Sequence, residues 1–174
     1  KYSATFATWI QQNTDLQVGD RIAVQMPNLL QYPIVVFGAM RAGLVIVNTN
    51  PLYTAREMEH QFKDAGCKAL VTLANFGHLV QEVLPRTGIR YVIISELADM
   101  LPFPKRIVVN NVVKYIKKLV PSYHLPTAIP FTQVMKANPS KFKEVTPKPD
   151  DIAVLQYTGG TTGVSKGAML THRS

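Results

Sequence analysis

Short segments rich in branched aliphatic residues alternate along this chain with stretches of helical character. Strands are predicted at residues 21–26, 44–47, 69–73, 91–95 and 152–157. Helices are predicted at residues 3–14, around Pro33 as far as Gly43, at 54–65 and at 76–83. This alternation is typical of an α/β domain with a mostly parallel sheet flanked by helices. The third helix has the strongest local signal, because Thr54 and Glu57 have the spacing of a capping box and Gly66 follows as a stop.

The composition is that of a globular, core-forming domain, with 47% hydrophobic and 17% charged residues. The longest apolar run, residues 33–40, is interrupted by Arg41 and is too short to cross a bilayer. The single cysteine, Cys67, has no disulfide partner in this sequence and no metal-ligand spacing. It is expected to be a small buried residue in a reducing compartment.

Positive charge is concentrated in one part of the chain. The net charge is +8, and residues 101–125 contain no acid. Their basic residues are Lys105, Arg106, Lys114, Lys117 and Lys118. Residues 106–120 are predicted to form an amphipathic helix whose apolar side is docked on the sheet, and the alternative is contact with an anionic membrane surface. Residues 121–150 hold six prolines and are predicted to be a connecting region with one short helix near 132–136.

A glycine-rich loop follows the last predicted strand. Residues 157–167 read Tyr-Thr-Gly-Gly-Thr-Thr-Gly-Val-Ser-Lys-Gly. Glycines allow backbone amides to approach an anion, threonines add hydroxyl donors, and a lysine adds a compact positive charge. These are the parts of a polyphosphate site, and a hydroxyl such as that of Thr161 is suited to Mg²⁺. The loop is not a Walker A motif, because Ser165 precedes Lys166 and a predicted strand at 168–171 follows in place of a helix.

The stretch from Thr158 to Gly167 resembles the signature loop of the adenylate-forming superfamily. Residues 26–28, 40–43 and 48–54 resemble its long-chain fatty acyl-CoA synthetase branch, and residues 112–126 resemble the bacterial members. The resemblance implies that a fatty acid reacts with ATP to give acyl-adenylate and then with coenzyme A to give acyl-CoA. It also implies that Mg²⁺ is bound by Thr161 and that the nucleotide phosphates are bound by the whole loop. The implied binding residues are Tyr157, Thr158, Gly159, Gly160, Thr161, Thr162, Gly163, Val164, Ser165, Lys166 and Gly167.

The resemblance implies a partial domain. Residues 1–174 are expected to be an incomplete large N-terminal AMP-binding domain, truncated at both ends, without the C-terminal domain. The catalytic residues are expected beyond Ser174, so this piece alone is predicted to be inactive and, with an open sheet edge, prone to aggregation. A cytoplasmic protein with peripheral contact to the inner membrane is expected, and a homodimer of the longer protein is left open.

Three other functions stay open at this point. The first is adenylation of another carboxylic acid, such as an aryl or amino acid. The second is a Walker-type NTPase, which the position of Lys166 disfavours. The third is a non-catalytic basic fragment that binds lipid or nucleic acid, although the scattered tyrosines give nucleic acid no further support. The four histidines have no spacing that predicts a metal site.

Overall fold

The computed structural model describes residues 1–158 and 165–174, and in these residues one sheet of seven strands is formed. The strands are β1 Arg21–Gln25, β2 Val45–Asn48, β3 Cys67–Leu73, β4 Tyr91–Ser95, β5 Ile129–Pro130, β6 Ile152–Thr158 and β7 Lys166–Thr171. Their order is β5-β4-β3-β1-β2-β6-β7. Neighbouring strands are parallel except for β6 and β7, which are antiparallel. The predicted mostly parallel α/β sheet is confirmed.

Helices cover both faces of this sheet. They are α1 Tyr2–Asn13, α2 Gln31–Arg41, α3 Ala55–Asp64, α4 Gly77–Val83, α5 Lys105–Asn111 and α6 Phe131–Val134. Successive side chains of a strand point to opposite faces. In β1, Ile22 and Val24 therefore pack with α1, α2 and α6, whereas Ala23 packs with α3 and α4. Burial on both faces explains why the strands are apolar runs without a polar side.

The ends of α2 and α3 follow the local sequence signals. The Thr54 backbone N–H donates to Glu57 Oε2 at 2.8 Å, and the Glu57 N–H donates to Thr54 Oγ1 at 3.4 Å. The predicted capping box is thus confirmed. Gly43 and Gly66, with φ of +82° and +63°, end the two helices in the left-handed conformation that glycine adopts without strain.

The segment after β4 differs from the prediction of one helix docked over residues 106–120. Helix α5 ends at Asn111, and a π-helical turn, Val112–Ile116, follows. Ile116 and Leu119, which were expected to face the core, are 71% and 55% exposed. The buried residue is Asn110, whose Oδ1 accepts from the Ala98 N–H at 2.9 Å. The predictions of a continuous helix and of a docked apolar side are therefore wrong.

The proline-rich region after this segment contains little regular structure, as expected. Its short helix is α6, which begins one residue before the predicted position, and a 3₁₀ turn covers Pro139–Lys141. The strand β5, which pairs with β4, was not predicted. Among residues 1–158 and 165–174, no helix has both the length and the apolar character that a bilayer crossing needs.

Candidate functional site

The carboxyl ends of β1, β2 and β6 meet at one edge of the sheet and border a cleft of about 500 Å³. Its polar lining includes Asn28, Tyr32, Asn48, Thr49, Asn50 and Gln156. In open α/β sheets, ligands bind in crevices outside the carboxyl ends of the strands. The cleft is therefore the natural candidate for a binding site in this part of the chain.

A chain of side-chain hydrogen bonds crosses this edge of the sheet. The Tyr32 hydroxyl donates to Asn48 Oδ1 at 2.8 Å, and Asn48 Nδ2 donates to Gln156 Oε1 at 2.9 Å. Gln61 Nε2 donates to the backbone oxygen of Asn48 at 2.8 Å. These bonds connect α2, β2, α3 and β6, so the end of β6 is held in a fixed position next to the cleft.

The glycine-rich loop connects the two strands of the β6–β7 hairpin. The last pair of this ladder is Thr158 with Lys166. Of the predicted binding residues, the structure describes Tyr157, Thr158, Ser165, Lys166 and Gly167. The others, Gly159, Gly160, Thr161, Thr162, Gly163 and Val164, lie outside the described residues, and so does the Mg²⁺ ligand predicted at Thr161. The strands thus bring both ends of the loop to the carboxyl edge beside the cleft.

Helix α3 contacts both ends of the loop. The Tyr157 hydroxyl donates to Asp64 Oδ2 at 2.5 Å. One helical turn earlier, His60 Nε2 lies 3.2 Å from the backbone oxygen of Ser165. Because a carbonyl oxygen only accepts, this contact needs the His60 tautomer that carries its proton on Nε2. Ser165 Oγ in turn donates to the Thr158 backbone oxygen at 3.3 Å, which joins the two ends of the loop to each other.

Tyr157 is a fixed hydrogen-bond donor at this site. Burial, followed by the hydrogen bond to Asp64, raises the pKa of Tyr157 far above its usual value, so the hydroxyl stays protonated. Its ring also explains the glycine after the lysine. A Cβ atom on Gly167 would lie 2.9 Å from Tyr157 Cε2, which is too close for an ordinary contact. With the Tyr157 ring in this position, only glycine fits at position 167.

Lys166 carries the positive charge of the described part of the loop. Its side chain is exposed, and none of the ion pairs within residues 1–158 and 165–174 includes it. An ammonium group has three N–H donors, which can serve a phosphate oxygen. The position suits a phosphate group held against the loop.

Metal binding by the described side chains has no support. Within that part of the chain, no group of three or more His, Cys, Asp or Glu residues is arranged to hold a metal ion. Cys67 is a buried free thiol, and burial raises its pKa to about 12. Such a thiol is not reactive at neutral pH.

Sequence reasoning did not single out several residues of this site. Asn48 was noted only within the 48–54 resemblance and Gln156 only as part of a strand, although polar residues near the carboxyl ends of two apolar strands are a usable signal. His60 and Asp64 were not connected with the loop. Their spacing of one helical turn shows a shared face, but only the tertiary structure shows what that face contacts.

The family model described as AMP-binding enzyme matches residues 1–174. The chain belongs to this family. A long-chain-fatty-acid–CoA ligase of Escherichia coli O6:H1 is 53% identical over 174 residues, which are 99% of this chain and 31% of that protein. This AMP-binding chain thus spans about 31% of the length of that curated relative.

Two solved structures of AMP-binding enzymes have the same fold over 98% of this chain. A long-chain-fatty-acid–CoA ligase from Archaeoglobus fulgidus is 25% identical, with a TM-score of 0.73, and 28% of that chain is covered. ATP-bound MatB from Rhodopseudomonas palustris is also 25% identical, with a TM-score of 0.72 and 28% of that chain covered. The mostly parallel sheet flanked by helices therefore matches the N-terminal part of adenylate-forming enzymes.

Proposed function

We propose that this chain is part of the large domain of a long-chain fatty acyl-CoA ligase and that its loop from Thr158 to Lys166 binds the phosphates of ATP. The 53% identity to the E. coli ligase supports the choice of substrate class. The main support for phosphate binding by the loop is the position of Lys166. This residue is exposed at the end of the β6–β7 ladder, beside the polar cleft. MatB of Rhodopseudomonas palustris, which has the same fold and was solved with ATP bound, supports ATP as the nucleotide.

The proposed reaction has two steps. A carboxylate oxygen of the fatty acid attacks the α-phosphorus of ATP, the bond from that phosphorus to the bridging oxygen breaks, and pyrophosphate leaves. The sulfur of coenzyme A then attacks the acyl carbon, and the carbon–oxygen bond to AMP breaks. The part of this chain in the first step is to hold the β- and γ-phosphates and to offset the charge of the departing pyrophosphate.

Mg²⁺ is proposed to enter with ATP. The ion would supply neutralisation of charge at the phosphates. The Thr161 hydroxyl is the proposed protein ligand, and a hard oxygen donor of this kind fits the preference of Mg²⁺ for oxygen, water and one or two protein ligands.

The catalytic residues, the acyl site and the coenzyme A site are proposed to lie in parts of the protein outside residues 1–174. A cytoplasmic location is proposed on the ground that Cys67 is a free thiol. Adenylation of a different carboxylic acid is the second candidate, since ATP is activated by the same loop chemistry whatever acid attacks it.

Exchange of labelled pyrophosphate into ATP tests this function. The full-length protein is expected to catalyse exchange that depends on a long-chain fatty acid, because the first step is reversible. Residues 1–174 alone are expected to show none. Exchange that depends on an aryl or amino acid but not on a fatty acid would favour the second candidate, and exchange by the isolated chain would contradict the proposed division of work.

A substitution at His60 tests whether α3 positions the loop. His60→Ala is expected to reduce kcat/KM for ATP about fivefold, which corresponds to the net contribution of about 1 kcal/mol from one hydrogen bond. His60→Gln should retain most of the activity, because its side-chain amide offers a donor to the Ser165 carbonyl. Steady-state kinetics of the full-length protein with ATP as the varied substrate measures both.

The matched control is His124→Ala. His124 is exposed, and Gln81 Oε1 accepts from its backbone N–H and not from its imidazole. This variant is expected to keep wild-type kinetics. If the alanine and glutamine variants of His60 lose activity equally, the hydrogen bond to Ser165 does not position the loop.

A further inference from the structure

Three hydrogen-bonded side chains at the polar cleft end in an amide that keeps its donors available. The Tyr32 hydroxyl donates to Asn48 Oδ1 at 2.8 Å, and Asn48 Nδ2 donates to Gln156 Oε1 at 2.9 Å. Within residues 1–158 and 165–174, this last bond is the only hydrogen bond of the Gln156 side chain. Because Oε1 is turned toward Asn48, the two N–H groups of Gln156 Nε2 are left for another acceptor.

Asn48 sets the direction of these hydrogen bonds. Its side chain accepts at one end and donates at the other, and its backbone is held on two sides. The backbone oxygen accepts from Nε2 of Gln61, which is only 1% exposed. Asn48 is also the partner of Gln156 in the ladder between β2 and β6. The orientation of the Asn48 amide therefore decides which end of the Gln156 amide is turned away from Asn48.

The Gln156 amide lies on the same face of β6 as the residue at which the glycine-rich loop begins. Leu155 and Tyr157 pack on the side of α3 and α4, so the alternating Gln156 and Thr158 belong to the side of α2. Gln156 lines the cleft of about 500 Å³, and Thr158 is exposed at the end of the strand. An acceptor in the cleft next to the loop is thus within the region that the Gln156 donors serve.

We propose that Gln156 Nε2 donates a hydrogen bond to a phosphate oxygen of ATP, and that Tyr32 and Asn48 are positioning residues that keep this donor turned toward the nucleotide. This assignment rests on the proposed binding of ATP by the loop. None of the described residues that line the cleft is charged, so no carboxylate among them repels a phosphate. A hydrogen bond from an amide to a phosphate is charge-assisted and stronger than one between two neutral groups.

The substitution Asn48→Asp reverses the donor in the full-length protein. An ionised aspartate only accepts, so Tyr32 and Gln156 must both donate to it, and the Gln156 amide then turns its oxygen toward the cleft. The affinity for ATP is expected to fall about 10- to 100-fold, the range for a lost hydrogen bond to a charged group. Isothermal titration with ATP and magnesium, without fatty acid, measures this loss. In steady-state kinetics the KM for ATP should rise while kcat changes little, as for a contact made equally in the ground state and the transition state.

A double-mutant cycle separates the reversed amide from the added negative charge. Gln156→Met removes the donor without a change of charge and should weaken ATP binding by a similar factor. If Asn48→Asp acts through Gln156, its addition to Gln156→Met should cause little further loss of affinity. A loss in the double variant equal to the product of the two single losses would mean that the charge acts by itself, which overturns the proposal.

Two tyrosine variants test the first member of the hydrogen-bonded group. Tyr32→Phe leaves the Asn48 amide without its fixed donor, so ATP binding should weaken by roughly fivefold, the effect of one neutral hydrogen bond. The matched control is Tyr91→Phe, at the amino end of β4. It removes a hydroxyl that donates to Asp15 Oδ1 at 3.0 Å, and it should bind ATP like the wild type.

The outcomes distinguish this assignment from the proposed function itself. A wild-type protein that does not bind ATP would contradict ATP binding by the loop as a whole. A wild type that binds ATP, together with a Gln156→Met variant of unchanged affinity, would leave the loop in place and remove the role of Gln156. That second result does not depend on whether the Asn48 variant folds.

Discussion

Replacement of Lys166 by alanine is expected to reduce kcat/KM for ATP in the full-length protein on the order of 100- to 1,000-fold, the range for loss of one group that stabilises developing negative charge. Lys166 ends the β6–β7 ladder opposite Thr158, so the position of its backbone is fixed by the sheet. Its ammonium group is exposed and makes no ion pair with the described residues. Alanine removes that charge without disturbing the ladder.

Pyrophosphate exchange and steady-state kinetics measure this effect. Lys166→Arg should restore part of the activity, because it keeps the charge but replaces a compact ammonium with a larger planar group. Lys148→Ala, which removes an exposed lysine before the amino end of β6, at the opposite end of that strand from the loop, should leave the kinetics unchanged. A Lys166→Ala enzyme whose kcat/KM stays within twofold of the wild type would show that the loop does not hold ATP through this charge.

The sequence predicted the local elements of the fold because their signals are local. Thr54 and Glu57 stand three residues apart and satisfy each other across one helical turn. Gly43 and Gly66 adopt positive φ where the helices end. The apolar runs of β1, β2 and β3 are buried on both faces, which is why they could be recognised without a periodic pattern.

The bonds that build the candidate site join residues far apart in sequence. Asn48 and Gln156 are separated by 108 residues, and they meet only because β2 and β6 are neighbours in the sheet. Tyr157 and Asp64 are separated by 93 residues. Composition and periodicity predict strands and helices but do not predict strand order, so these pairs could not be derived from the sequence. The glycine-rich loop was recognisable because its residues are consecutive.

The segment from 106 to 120 shows a different limit. Its apolar residues recur at about 100° per residue, as on one side of an α-helix. A π-helical turn has more residues per turn, so the pattern no longer describes one side after Asn111. The side that packs inward holds Asn110, whose amide is buried because it accepts a hydrogen bond from Ala98. Because this polar residue is buried, the side of the helix that faces the protein interior is not the side that hydrophobicity alone predicts.

Substitutions at the contact between α1 and α2 are expected to have the largest effect on stability. Phe6 is fully buried, and a Cβ atom on Gly38 would lie 2.9 Å from both Phe6 Cβ and the Ser3 backbone oxygen. Phe6→Ala leaves a cavity and should lower the free energy of unfolding by about 3 to 5 kcal/mol. Gly38→Ala overfills the contact and should lower it by about 1 to 3 kcal/mol.

The double variant distinguishes a shared contact from two independent losses. Truncation of Phe6 removes its Cδ1 atom, which also lies 2.9 Å from the added methyl group of Gly38→Ala, and leaves the contacts with Cβ and with the Ser3 oxygen. This partial relief should make the combined loss smaller than the sum of the single losses by about 0.5 kcal/mol or more. Hydrogen exchange of the α1 and α2 amides in the full-length protein measures the local free energies of opening. Gly88→Ala is the control, because the nearest atom to its added Cβ is 3.8 Å away. Strictly additive losses would mean that the side chain at position 6 does not affect the cost of the substitution at position 38. The close approach of α1 to α2 would then have another cause.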